Sequence, residues 1–126
     1  MPTRPRVLVA DDHPGVVKAL SRLLSFECDV VGTVGDGSAV VEAATTLQPV
    51  VVVVDVNLPN VNGLDVCREI TTRNPRVPVI VISGMFDDDI ADAARTAGAS
   101  DFFYKAAMGD ELVRAIKAAW RATTTA

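Results

Sequence analysis

Histidine, cysteine and aromatic residues are scarce in this chain of 126 residues, which has one His, two Cys, four Phe, one Tyr and one Trp. A single imidazole limits histidine-based zinc sites and Ser-His-Asp triads to whatever His13 alone can supply. Two cysteines cannot staple a disulfide scaffold, so Cys28 and Cys67 are expected as small core residues in a reducing compartment. Long apolar runs are also missing. The longest, Val50 to Val54, falls far short of the roughly 20 residues that cross a bilayer. No leader-like apolar stretch precedes Asp11, and a soluble, unexported, cytoplasmic protein without membrane contact is expected. Basic excess is absent too. The 12 Lys and Arg face 16 Asp and Glu, a net charge of -4, which argues against a nucleic-acid surface on these residues. Twelve of the acids are Asp, so carboxylates must carry most of the chemistry.

What is present is a composition 49% hydrophobic and 22% charged, the balance of one globular domain rather than a disordered chain. Short β-branched runs alternate with longer amphipathic stretches, the pattern of a parallel sheet with crossover helices. Strands are expected at Arg6 to Ala10, Asp29 to Val34, Val50 to Val54, Pro78 to Ile82 and Asp101 to Tyr104. Most are continuously apolar, as strands covered on both faces must be. Helical spacing of three and four links Val17, Leu20 and Leu24; Val40, Val41, Ala44 and Leu47; Leu64, Cys67 and Ile70; Ile90, Ala93, Ala94 and Ala97; and Leu112, Ile116 and Trp120. Turns are marked by Gly35, Gly37, Asn62, Gly63, Gly98 and Gly109.

Five such units predict an α/β fold with a doubly wound sheet of order 2-1-3-4-5, whose ligand crevice lies beyond the C-terminal strand ends. Asp11 and Asp12 then follow strand one, Asp55 strand three, Ser83 strand four and Lys105 strand five. Strands one and three are neighbours at the switch point, so three carboxylates converge. Three anions resist ionising together unless a cation offsets them. Mg2+ suits carboxylate and water oxygens and leaves positions open for a phosphate. Lys105 adds a point charge and Ser83 a donor for phosphoryl oxygens, a constellation suited to phosphoryl transfer.

The run Val7-Leu8-Val9-Ala10-Asp11-Asp12-His13-Pro14, then Asp55-Val56-Asn57-Leu58-Pro59 with Gly63, then Ser83-Gly84 and Lys105, resembles a response-regulator receiver domain of two-component signalling. The likeness spans nearly the whole chain. The Asp-Asp-His-Pro start and the Tyr104-Lys105-Ala106 end resemble the subclass that precedes LuxR-type (NarL/FixJ-like) DNA-binding domains. The resemblance implies a flavodoxin-like (βα)5 fold over residues 1–122, with 123–126 a tail or the start of a linker. It implies that Asp55 is the phosphoacceptor, attacking a phosphohistidine on a partner histidine kinase. Asp12 and Asp55 would ligate Mg2+ directly, Asp11 directly or through water, and Asn57 through its backbone carbonyl. Ser83 and Lys105 would contact the phosphoryl group, and Phe102 would be the switch aromatic. Such a chain is a signalling phosphoacceptor rather than an enzyme, catalysing its own phosphorylation and a slow autodephosphorylation. It reaches DNA only through an output domain outside this sequence, and homodimers are compatible with it.

Three positions depart from the family pattern. Ala106 stands where many receivers carry proline; a non-prolyl cis bond costs about 2.5–4 kcal/mol, which predicts a trans bond or a strained loop. Phe102 lacks the hydroxyl of the commoner tyrosine, which points to an always buried ring. Ser83 replaces threonine and keeps the donor.

Plainer roles are expected elsewhere. Asp87-Asp88-Asp89 reads as a solvated first helical turn, His13 as a loop residue near the site rather than a ligand, and Arg114, Lys117 and Arg121 as a solvated stripe. Trp120 is expected to pack the last helix onto the sheet. Two rival functions remain. A phosphorylation-independent pseudo-receiver would keep the fold and drop the chemistry. An aspartyl phosphatase is disfavoured because Asn57 cannot serve as the general acid two residues after the nucleophile.

Overall fold

A computed structural model describes residues 4–124. Five parallel strands, β1 (Arg6–Ala10), β2 (Asp29–Val34), β3 (Val51–Asp55), β4 (Val79–Ser83) and β5 (Asp101–Tyr104), lie in the order β2-β1-β3-β4-β5. They alternate with α1 (Pro14–Ser25), α2 (Gly37–Leu47), α3 (Gly63–Arg73), α4 (Asp88–Thr96) and α5 (Asp110–Thr124). The expected fold class and strand order are those observed.

Strand alternation divides the core. Leu8, Val52, Val54, Val79 and Val81 face one side and pack with α2, α3 and α4. Val7, Val9, Val51, Val53, Ile80 and Ile82 face the other and pack with Leu20 and Leu24 of α1 and Leu112 and Ile116 of α5. Because β3 and β4 are covered on both faces, every residue in them is buried, which is why they read as unbroken apolar runs. Cys28 and Cys67 are free and buried, as expected. Trp120 is partly buried against the α1/α5 core layer.

Strands three and four each shift by one residue at both ends: Val50 to Val54 becomes Val51–Asp55, and Pro78 to Ile82 becomes Val79–Ser83. The sequence reading ends strands three and four at Val54 and Ile82, but the ladder pairs Asp55 with Ile82 and Ser83 with Tyr104. Apolarity marks where side chains are buried, whereas the backbone continues pairing through a polar residue if its side chain has a partner at the strand end. Asp55 and Ser83 are therefore the last residues of strands, not the first of loops. Likewise Gly37 and Gly63 open α2 and α3 rather than lying in turns. The last helix runs through Thr124, past residue 122; the remainder of the expected tail, Thr125 and Ala126, lies outside the described residues.

Helix starts are set by side chains the sequence displays. Pro14 opens α1, where its missing N–H costs nothing. Asp36 caps α2, Asn62 caps α3 and Asp87 caps α4. Asp88 and Asp89 occupy the exposed first turn of α4, as anticipated for the triple-Asp run. Arg114 and Arg121 are exposed, while Lys117 pairs with Glu27 near the end of α1.

Candidate functional site

The site forms where β1, β3, β4 and β5 end at the same rim of the sheet. Asp11 leaves β1 with its amide donating to the Val34 carbonyl at 3.0 Å, which turns its side chain inward; none of that side chain is exposed. Asp55 ends β3 with 1% of its side chain exposed. Asp12, with its side chain 37% exposed, opens the group to solvent. Lys105 follows β5 in a single 3-10 turn, Lys105–Ala107, and extends back over the strand ends. Its Nζ donates to Asp55 Oδ2 at 3.1 Å and lies 2.8 Å from Asp11 Oδ2. The latter contact is an ion pair, so a single ammonium serves two buried carboxylates.

The loop that follows Asp55 is fixed by two glycines. A Cβ on Gly63 would stand 2.0 Å from the Asp55 carbonyl oxygen, and one on Gly37 would stand 1.7 Å from the Val61 carbonyl oxygen. Only glycine lets the two helix starts approach this closely. Gly63 N donates to the Val56 carbonyl at 2.8 Å, Gly37 N to the Pro59 carbonyl at 3.0 Å, and Asn60 Nδ2 to Asp36 Oδ2 at 2.6 Å. Asn57 donates its backbone N–H to Asp55 Oδ1 at 3.3 Å.

Burial, then the neighbouring Asp11 charge, push the Asp55 carboxyl above its usual range, against the opposing pull of Lys105 and the Asn57 N–H. Burial acts to lower Lys105, but its contacts with Asp11 and Asp55 outweigh it and hold the ammonium above its ordinary value. With three carboxylates and one ammonium, the cluster remains short of positive charge. Oxygen donors of this kind fit a hard divalent cation. Asp11, Asp12, His13 and Asp55 each offer one ligand atom, all within 4.8 Å of one another.

The remaining predicted residues are placed differently. Ser83 ends β4 fully buried, but its Oγ accepts from Met85 N at 3.1 Å rather than turning to Asp55. Asn57 is exposed apart from its backbone bond. Phe102 is half-buried, not fully buried: it packs against the core layer of α2, α3 and α4, and its ring meets Tyr104 edge-on at 5.1 Å. All peptide bonds among the described residues are trans, so Lys105-Ala106 is trans, without a positive φ. His13 is the neighbour that sequence reasoning set aside. Its Nδ1 lies 3.0 Å from Asp11 Oδ1, 3.2 Å from Asp12 Oδ1 and 3.8 Å from Asp55 Oδ2. Adjacency to Asp11-Asp12 was the available signal, but direction was not legible: the loop bends back because His13 N donates to Asp11 Oδ1 at 2.8 Å.

The profile of the response regulator receiver domain matches residues 7–117. The chain belongs to that family. The receiver is 37% identical over 117 residues to the transcriptional regulatory protein TcrX of Mycobacterium tuberculosis, covering 93% of this chain and 50% of TcrX. Its fold superposes on a LuxR-family two-component response regulator from Aurantimonas sp. SI85-9A1 with a TM-score of 0.87 at 27% identity, covering 94% of this chain and 86% of that one. It also superposes on the signal receiver domain of NarL from Mycobacterium tuberculosis, with a TM-score of 0.84 at 28% identity, covering 99% and 100%. The resemblance to the subclass that precedes LuxR-type domains is thus seen in its structural neighbours. The receiver spans about half the length of the curated relatives it matches. No helix among the described residues is long and apolar enough to cross a membrane.

Proposed function

We propose that this receiver accepts a phosphoryl group on Asp55 from a histidine kinase and passes the signal on by a change of conformation. The observation that carries the reading is the convergence of Asp11, Asp12 and Asp55, with Lys105 Nζ 3.1 Å from Asp55 Oδ2. In the transfer, a carboxylate oxygen of Asp55 forms a bond to phosphorus as the bond from phosphorus to the donor imidazole nitrogen breaks. The bonding pair leaves with that nitrogen, and the product is an acyl phosphate. Lys105, already on the acceptor oxygen, offsets charge on the transferred group.

Asp11, Asp12 and Asp55, with the Asn57 carbonyl, would hold Mg2+, which when bound neutralises charge on the phosphoryl oxygens. The excess of three carboxylates over one ammonium supports that fit. Ser83 would redirect its O–H, which donates to the Met85 carbonyl at 3.3 Å, to a phosphoryl oxygen, freeing the loop before α4. Phe102, edge-on to Tyr104, would then repack, biasing a two-state equilibrium.

On this reading the chain is a cytoplasmic signalling module, not a turnover enzyme, whose receiver unit runs through the end of α5 at Thr124. It reaches DNA through an output domain beyond this sequence, and a homodimer is one form of that output. The test is intact mass after incubation with a small acyl phosphate donor. A gain of one phosphoryl group that needs a divalent cation and is lost in Asp55→Asn is expected. No gain under any condition would overturn it in favour of a phosphorylation-independent module.

A further inference from the structure

His13 is the one histidine in the chain, and its ring is directed into the acidic pocket although 59% of the side chain is exposed. Nδ1, not Nε2, is the inward atom. Nδ1 faces carboxylate oxygens at 3.0 and 3.2 Å, to which it donates only as N–H, and Lys105 Nζ at 3.4 Å, which donates only to its bare lone pair; the neutral ring with its proton on Nε2 is the form that presents that lone pair. The same lone pair is what a metal ion takes. In an octahedron with metal–ligand bonds of about 2.0–2.1 Å, adjacent ligand atoms lie about 3.0 Å apart. The separations of 3.0 Å to Asp11 Oδ1 and 3.2 Å to Asp12 Oδ1 match that edge; the 3.8 Å to Asp55 Oδ2 lies between adjacent and opposite spacings.

We propose that His13 Nδ1 is an additional protein ligand of the pocket's cation, shifting its preference from Mg2+ towards first-row transition ions such as Mn2+ and Co2+. The inference rests on the reading of this pocket as a cation site and adds the class of ion it selects. An all-oxygen set suits Mg2+, whereas imidazole nitrogen strengthens binding of softer divalent ions along the series from Mn2+ to Cu2+ and leaves Mg2+ little affected. With 59% of its side chain exposed, the ring can follow the ion without disturbing the core, and the bond from His13 N to Asp11 Oδ1 at 2.8 Å keeps it beside the carboxylates.

The test is titration of the full chain with MgCl2 and CoCl2 by calorimetry at mildly alkaline pH, for wild type, His13→Ala, His13→Gln and Asp12→Asn. It is paired with proton NMR of the Co2+-loaded protein. With one histidine, imidazole signals are assigned by their loss in the two His13 variants, and direct ligation moves them far outside the diamagnetic range. Expected are such signals in wild type, a loss of Co2+ affinity of at least roughly tenfold in both His13 variants, a smaller loss for Mg2+, and loss of both ions in Asp12→Asn. Equal Co2+ affinity with and without His13, or imidazole signals near their metal-free positions, would overturn the proposal and reduce His13 to a hydrogen-bonding neighbour. Co2+ binding that survives Asp12→Asn would place the ion elsewhere and also overturn it. Wild type that binds neither ion would overturn the cation pocket itself, a result separable from the others because Mg2+ binding does not require His13.

Discussion

Replacing Lys105 by methionine keeps most of the aliphatic stem and removes one charge. The ammonium faces Asp11 Oδ2 at 2.8 Å and Asp55 Oδ2 at 3.1 Å, and its side chain is 15% exposed. At an effective dielectric of about 20, each contact represents about 5–6 kcal/mol of gross attraction, most of it offset by the desolvation of the charges. Removing one partner of a buried pair costs about 3–5 kcal/mol. The crevice opens to solvent at Asp12 and His13, which screens the orphaned carboxylates and puts the loss at the lower end, about 3 kcal/mol. For a domain of this size that is a fall in Tm of roughly 10 °C.

The pH dependence has a definite sign. The Lys105 pKa is raised by folding, so its contribution is fully present below its ordinary value and is lost only as pH rises through the raised one. The Asp55 pKa is also raised, so the folded state binds extra protons between the ordinary carboxylate value and the raised one, and stability in that window falls as pH rises. Without Lys105 that window extends upward. The gap between wild type and Lys105→Met is therefore widest near neutral pH and narrows on acidification. Urea denaturation in metal-free buffer across this range measures it. Equal stability at neutral pH, or a gap that widens in acid, would refute the reasoning.

Other variants probe the frame around the site. In metal-free buffer at neutral pH, Asp55→Asn is expected to raise the urea midpoint, because it removes a carboxylate whose ionisation burial and Asp11 oppose; a lowered midpoint would contradict that. Gly63→Ala places a methyl group 2.0 Å from the Asp55 carbonyl oxygen and 2.8 Å from Val54 Cγ1. Overpacking and the strained bond to Val56 together cost about 2–4 kcal/mol by chemical denaturation, and an unchanged midpoint would mean that α3 moves freely. The Ser38 side-chain and backbone bonds, with Asn60, hold Asp36 below the usual carboxylate range. Its stabilising share is present above its ordinary pKa and is lost as pH falls through the lowered one. Asp36→Ala should thus lower Tm at neutral pH and make no difference in strong acid.

The sheet was legible because burial on both faces demands apolar residues at every position: Val51 to Val54 and Val79 to Ile82 could be little else. What apolarity could not show was that pairing runs on through Asp55 and Ser83, since those side chains are satisfied by Lys105 and the Met85 amide. Asp11, Asp12, Asp55 and Lys105 could be brought together from topology alone, because strand order fixes which ends are neighbours. Orientation within the group was not accessible. Ser83 turning to its own loop, Phe102 standing edge-on to Tyr104, and His13 folding back over Asp11 depend on side-chain torsions and local hydrogen bonds that residue type and spacing do not specify.

The central claim is that Asp55 is the residue that carries the phosphoryl group. Borohydride reduces an acyl phosphate to the alcohol, so the protein is treated with a small acyl phosphate donor and Mg2+, reduced, digested and mapped by mass spectrometry. The account predicts homoserine at position 55 and at no other aspartate. Reduction at Asp11 or Asp12 instead, or none at position 55 in a sample that has gained phosphoryl mass, would contradict it.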